Sequence, residues 1–141
     1  MPTPGSAKPT VLVVDDDRAN LQTFRIVFRE AYAITLAGSG EEALRAVDAA
    51  AFDVAFVDFA MPDMNGLEVL RCIRAARPAI RRAVVTGYPD LPEITAASAS
   101  GLAHAVVTKP WDRASLQRTI DSLAHDGPGP GGPAGASDVG A

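Results

Sequence analysis

Four short apolar runs, each closed by a polar residue, constrain this chain more than any other feature. Val11-Leu12-Val13-Val14 leads into Asp15 and Asp16, Val54-Ala55-Phe56-Val57 into Asp58, Val84-Val85 into Thr86, and Val106-Val107 shortly into Lys109. Runs this short and rich in β-branched residues read as buried strands, and the stretches between them carry apolar residues at helical spacing. Strands alternating with helices form a doubly wound α/β sheet. The carboxyl ends of its parallel strands lie along one edge, so polar residues scattered over most of the chain converge on a single cleft.

The spacing predicts strands at about 10–15, 32–37, 53–58, 82–86 and 104–107. A first helix at about 18–30 buries Leu21, Phe24, Val27 and Phe28. The second, about 40–50, opens with Ser39-x-x-Glu42 and buries Leu44, Val47 and Ala51. A third, about 66–76, starts at Asn65 and buries Leu67, Leu70 and Ile73. The fifth, about 113–124, is capped by Asp112, buries Leu116, Ile120 and Leu123, and stops at Gly127. Between Pro92 and Gly101 the fourth helix has few strong anchors, which makes it the least stable of the five.

Composition bounds the function. The 141 residues, 48% of them hydrophobic, suffice for one domain with a real core. A net charge of −4 without a basic cluster supplies no field for a nucleic acid backbone, so direct binding to nucleic acid is not expected. One cysteine, Cys72, excludes an internal disulfide and reads as a partly buried helix residue. With no signal-peptide pattern and no apolar run of spanning length, the expectation is a cytoplasmic protein with no membrane contact. Residues 1–9 read as a flexible lead. The Gly- and Pro-rich stretch 126–141 reads as a disordered tail or a truncated linker.

The cleft residues have a chemistry of their own. Two carboxylates about 4 Å apart repel by roughly 4 kcal/mol at an effective dielectric of about 20, so gathering three calls for a cation. Magnesium favours a few carboxylate oxygens together with water and phosphate. Asp16 and Asp58 suit it as direct ligands, Asp15 through water, and the main-chain carbonyl of Ala60 completes the protein's share. Beside a metal, an aspartate can attack phosphorus to form an acyl phosphate. Lys109 and the Thr86 hydroxyl are suited to holding phosphoryl oxygens, since this transfer depends mainly on positioning and charge stabilisation.

At these residues the chain resembles the receiver domain of bacterial two-component response regulators, from Thr10 to about Ala124. The resemblance rests on Val-Leu-Val-Val-Asp15-Asp16-Asp17, Val57-Asp58-Phe-Ala-Met-Pro62-Asp-Met-Asn-Gly66-Leu, Val-Val-Thr86-Gly and Thr-Lys109-Pro110-Trp in that order. It implies a flavodoxin-like five-stranded sheet of order 2-1-3-4-5 with five helices. It further implies that Asp58 takes a phosphoryl group from a histidine kinase or phosphotransfer protein, that Asp15 and Asp16 serve Mg2+, and that Thr86 and Lys109 read the phosphate. A downstream protein target would dock on the fourth helix, fifth strand and fifth helix. The resemblance makes Lys109–Pro110 a cis bond. One position departs: Val106 stands where relatives carry an aromatic switch residue. Ala60 and Tyr88 occupy positions that set phosphoaspartate lifetime, and a bulky Tyr88 is expected to hinder attacking water.

Blander readings accompany these. Asp17 is expected to be a helix entry, not a ligand, and His104 and His125 surface or strand-end residues. Trp111 is expected to pack against the Lys109-Pro110 turn. Arg71, Arg74, Arg77, Arg81 and Arg82 read as a solvated face. Two other functions compete. Asp15-x-Asp17 is similar to the opening motif of haloacid-dehalogenase-type phosphatases, but the acids after Lys109 all fall on or beside the last helix. A phosphorylation-independent interaction module on the same fold would also accommodate Val106. Dimerisation stays open.

Overall fold

A computed structural model describes residues 8–126. Most of the lead expected at 1–9, and the tail expected at 126–141 apart from Asp126, lie outside the described residues. The elements run β1 (Thr10–Val14), α1 (Arg18–Phe28), β2 (Ala33–Ala37), α2 (Gly40–Ala49), β3 (Val54–Asp58), α3 (Gly66–Ala76), β4 (Arg81–Thr86), α4 (Pro92–Ala99), β5 (Ala105–Thr108) and α5 (Arg113–Asp126). All strand pairs are parallel, and the sheet order is β2-β1-β3-β4-β5, as expected.

Register decides what meets at the sheet edge. Val14 pairs with Val57, so Asp15 and Asp58 end adjacent strands at the same level. Asp58 pairs with Val85, one residue short of Thr86, and Thr86 pairs with Thr108, one residue short of Lys109.

The two faces of the sheet carry separate cores, because successive strand residues point to opposite sides. Val11, Val13, Phe56, Val85 and Val107 pack with Leu21, Phe24 and Phe28 of α1 and Leu116, Ile120 and Leu123 of α5. Leu12, Val14, Val57 and Val84 pack with Val47 of α2, Leu70 and Ile73 of α3, and Ile94 and Ala97 of α4. Asp15, Asp58 and Lys109, each two residues beyond Val13, Phe56 and Val107, continue the rows facing α1 and α5. Thr86 continues the Val84 row, which faces α4.

Helix starts follow the chemistry of unpaired N–H groups. Asp17 accepts from the N–H groups of Ala19 and Asn20, Ser39 from Glu42, Asp112 from Ser115, and Asn65 and Glu68 form a full capping box. The Ser39 box is only half made, because the Glu42 carboxylate accepts instead from the Gly38 N–H at 2.6 Å. α4 spans eight residues, has no side-chain cap at Leu91, and buries only Ile94 and Ala97.

Some expectations need correction. α2 turns its face by one residue: Ala43 and Val47 are buried, Leu44 is half-buried, and Ala51 lies exposed beyond the helix end. The arginines are not one solvated face. Arg82 is 3% exposed, and its guanidinium donates to the carbonyls of Leu102 (2.8 Å), Ile80 (2.9 Å), Pro78 (3.2 Å) and Gly101 (3.2 Å). That fork of donors clamps the end of α4 to the start of β4. Half-buried Arg77 donates from Nε to Val47 O at 2.5 Å, tying α3 to the last turn of α2. His104 is exposed just before β5, the surface or strand-end place expected of it, and its Nδ1 accepts the Arg82 N–H at 2.9 Å.

Candidate functional site

Each site residue is delivered by a strand end or the loop after it. Asp58 closes β3 and is 4% exposed; Thr86 closes β4 and is 3% exposed. Asp15 follows β1 and is buried, Asp16 is exposed beside it, and Lys109 is half-buried after β5. The structure therefore brings Asp15, Asp16, Asp58, Thr86 and Lys109 to one edge. Ala60 sits exposed on the rim two residues beyond Asp58. The Lys109–Pro110 bond is cis.

One oxygen from each of Asp15, Asp16 and Asp58 lies within 4.8 Å of the others. Lys109 Nζ stands 2.5 Å from Asp58 Oδ1 as an ion pair. Burial raises the Asp58 pKa, the Lys109 contact offsets part of that rise, and Asp15 and Asp16 add to it. For Lys109, burial pulls the pKa down, but the Asp58 contact and the charges of Asp15 and Asp16 outweigh it, and the net direction is up. The Thr86 hydroxyl oxygen accepts from the Tyr88 N–H at 3.0 Å, which leaves its own hydrogen free to donate.

This arrangement fits a hard divalent cation. Three carboxylates against one ammonium leave the cleft negative. All-oxygen donors of this kind suit Mg2+.

Two residues that the sequence reading passed over shape the cleft. Asn20 Nδ2 donates to Asp15 Oδ2 at 3.1 Å, while the Asp17 N–H donates to Asp15 Oδ1 at 2.9 Å. An asparagine in the first turn of a helix, where it adds nothing to propensity, was the available signal. At Gly66 an added Cβ would meet the Asp58 carbonyl oxygen, so α3 begins against the backbone of the central acid only because this residue has no side chain. Tyr88 is 72% exposed and does not line the cleft.

Comparisons agree with this geometry. The family described as "Response regulator receiver domain" matches residues 11–121. The transcriptional regulatory protein ZraR of Escherichia coli (strain K12) is 34% identical over 117 residues, covering 82% of this chain and 26% of that protein. This chain thus spans about a quarter of that relative's length. A CheY-like response regulator receiver domain from Methanospirillum hungatei JF-1 superposes with a TM-score of 0.79 at 29% identity, covering 84% of this chain and 95% of that one. The receiver domain of the sensor histidine kinase PA1611 from Pseudomonas aeruginosa PAO1 shares the fold at 23% identity and a TM-score of 0.75, covering 84% and 99%. That structure holds a magnesium ion in its active-site cleft.

Proposed function

Since the chain belongs to the response regulator receiver family of two-component systems, we propose that Asp58 is its phosphoacceptor, served by Mg2+ and by a histidine kinase or phosphotransfer protein. The observation that carries this is the meeting of a buried aspartate, two further carboxylates and a lysine at one sheet edge. A bound Mg2+ would supply charge neutralisation, with Asp16, Asp58 and the Ala60 carbonyl as ligands and Asp15 holding a coordinated water. An Asp58 oxygen forms the new bond to phosphorus while the bond to the donor imidazole nitrogen breaks, and that nitrogen keeps the electron pair. Lys109 then turns from Asp58 to a phosphoryl oxygen, and the Thr86 hydroxyl donates to another. Hydrolysis of the acyl phosphate returns the site, so the protein acts on its own aspartate and not on a separate substrate.

Readout would run through Thr86, which lies on the α4 side of the sheet. Phosphorylation biases an existing equilibrium of α4, β5 and α5, the surface for a downstream protein. Weakly anchored α4 suits this role. The setting is cytoplasmic; no helix among the described residues is long and apolar enough to cross a membrane. The hydrolase alternative finds no support in the site. Asp112 caps α5 and Asp121 accepts from the Tyr32 hydroxyl at 2.7 Å, so neither joins the acidic cluster.

The test is intact mass after incubation with Mg2+ and acetyl phosphate. One phosphoryl adduct on the wild type and none on Asp58→Asn is the expected result. No adduct on a protein that binds Mg2+ overturns the reading and favours the phosphorylation-independent module.

A further inference from the structure

α4 is attached to one strand, β4, at both of its ends, and the two attachments differ in kind. Arg82, Val84 and Thr86 alternate along β4 and share the row that faces α4. At the start of this row, buried Arg82 sends its guanidinium to the carbonyls of Gly101 and Leu102 just beyond α4 and to those of Pro78 and Ile80 just before β4. Further bonds close the same end. The N–H groups of Ser100 and Ala103 donate to the carbonyls of Ala96 and Ala97, and the His104 N–H donates to Arg82 O at 2.7 Å. Opening this end would leave a buried cation without its acceptors, which is costly.

The other end is reached by a relay of hydrogen bonds that starts at the site. The Tyr88 N–H donates to Thr86 Oγ1 at 3.0 Å, the Leu91 N–H to Tyr88 O at 3.3 Å, and the Ile94 and Thr95 N–H groups to Leu91 O at 3.0 Å. No side chain caps the helix at Leu91, and a Cβ at Gly87 would meet open space. Eight residues make α4 about 12 Å long, so a displacement at this end tilts the helix when the far end holds.

We infer that Arg82 is a positioning residue, the fixed pivot of α4: motion of Thr86 passes through Tyr88 and Leu91 and emerges as a tilt of the first turn, while Gly101 and Leu102 stay in place. The surface that changes for a partner is then the stretch from Tyr88 to Thr95 and not the whole helix. The link to Thr86 rests on the phosphoacceptor reading; the pivot does not.

Residue-resolved amide exchange by NMR tests both. The isotope-labelled chain is followed alone and with Mg2+ and acetyl phosphate, with Phe56 in β3 as the reference for global opening. Corrected for intrinsic rates, Ser100 and Ala103 are expected to exchange about tenfold more slowly than Ile94 and Thr95 in the unmodified protein. Phosphorylation, scored on the same sample by intact mass, changes Ile94 and Thr95 and leaves Ser100 and Ala103 as they were. In Arg82→Met and Arg82→Lys, Ser100 and Ala103 lose protection relative to Phe56, and the phosphorylation change spreads to them at an undiminished mass adduct. A residue with only a stabilising role would shift these amides together with Phe56. Equal protection at the two ends of α4, or a gradient that survives both variants, overturns the pivot. A phosphorylation change at both ends of the wild-type helix does the same. Where no adduct forms, the phosphoacceptor reading falls, and the gradient in the unmodified protein and its two variants still decides the pivot.

Discussion

Asn20 holds Asp15 by a 3.1 Å hydrogen bond across the mouth of the cleft, and with the Asp17 N–H it occupies both oxygens of that carboxylate. Partners behind a ligand fix its orientation, and their loss commonly weakens a metal by an order of magnitude or more. Asn20→Ala is expected to weaken Mg2+ about tenfold by calorimetry, while the metal-free melting temperature moves little. Equal Mg2+ affinity in the two proteins would remove Asn20 from the site.

Gly66 sets the distance between α3 and the phosphoacceptor strand. A Cβ there would stand 2.4 Å from the Asp58 carbonyl oxygen and 2.8 Å from Phe59 Cα, backbone atoms that cannot swing aside. Gly66→Ala is expected to cost about 3 kcal/mol in urea unfolding, the upper range for overpacking. At Gly87 nothing lies within 4 Å of the built Cβ. Gly87→Ala is the control, expected within about 0.5 kcal/mol of wild type.

The raised Asp58 pKa makes metal-free stability depend on pH in a direction unusual for an acid. The folded state holds this proton more tightly than the unfolded chain does. Its contribution is therefore complete below the ordinary value of 3.8 and is lost as pH rises through the folded pKa. Melting curves in chelator should show that loss, Asp58→Asn should abolish it, and Mg2+ should restore the wild type alone. At 100 times its Kd the metal adds about 2.7 kcal/mol.

Arg82 is a buried cation whose partners are all carbonyls. Burial, with Arg74 and Arg81 nearby, pulls its pKa down to about 10, yet four acceptors hold it. Arg82→Met strands those carbonyls and is expected to cost about 3 kcal/mol. Arg82→Lys recovers less than half, because one ammonium cannot reproduce the fork. Amide exchange at the C-terminal end of α4 should accelerate in both.

His104 is tied to the same point. Partial desolvation of the ring, exposed though the residue is, and the charges of Arg82 and Arg81 push its pKa down to about 4. The folded state thus favours the neutral ring, and the stability this brings is full above the unfolded value of 6.5 and lost as pH falls through about 4. An NMR titration should find His104 changing near pH 4, and a midpoint near 6.5 would show that the Arg82 N–H contact does not hold in solution.

The apolar runs made the fold legible, because a buried parallel strand needs β-branched residues and ends where it becomes polar. Register carried the site, since strands one and three are neighbours and Asp15 must then meet Asp58. Arg82 was misread for a physical reason. Its partners are main-chain carbonyls at 78, 80, 101 and 102, and no pattern of side chains announces an arrangement of backbone oxygens. Asn20 was passed over because its partner lies in the preceding turn.

Asp15, Asp58 and Lys109 belong to the rows that face α1 and α5, whereas Thr86 belongs to the row that faces α4. The sheet edge thus separates writing from reading. A phosphoryl donor arrives on one side, and the news of its arrival leaves from the other. Changes on the α1 side can alter who writes while leaving the message intact, and changes around α4 can alter who reads it.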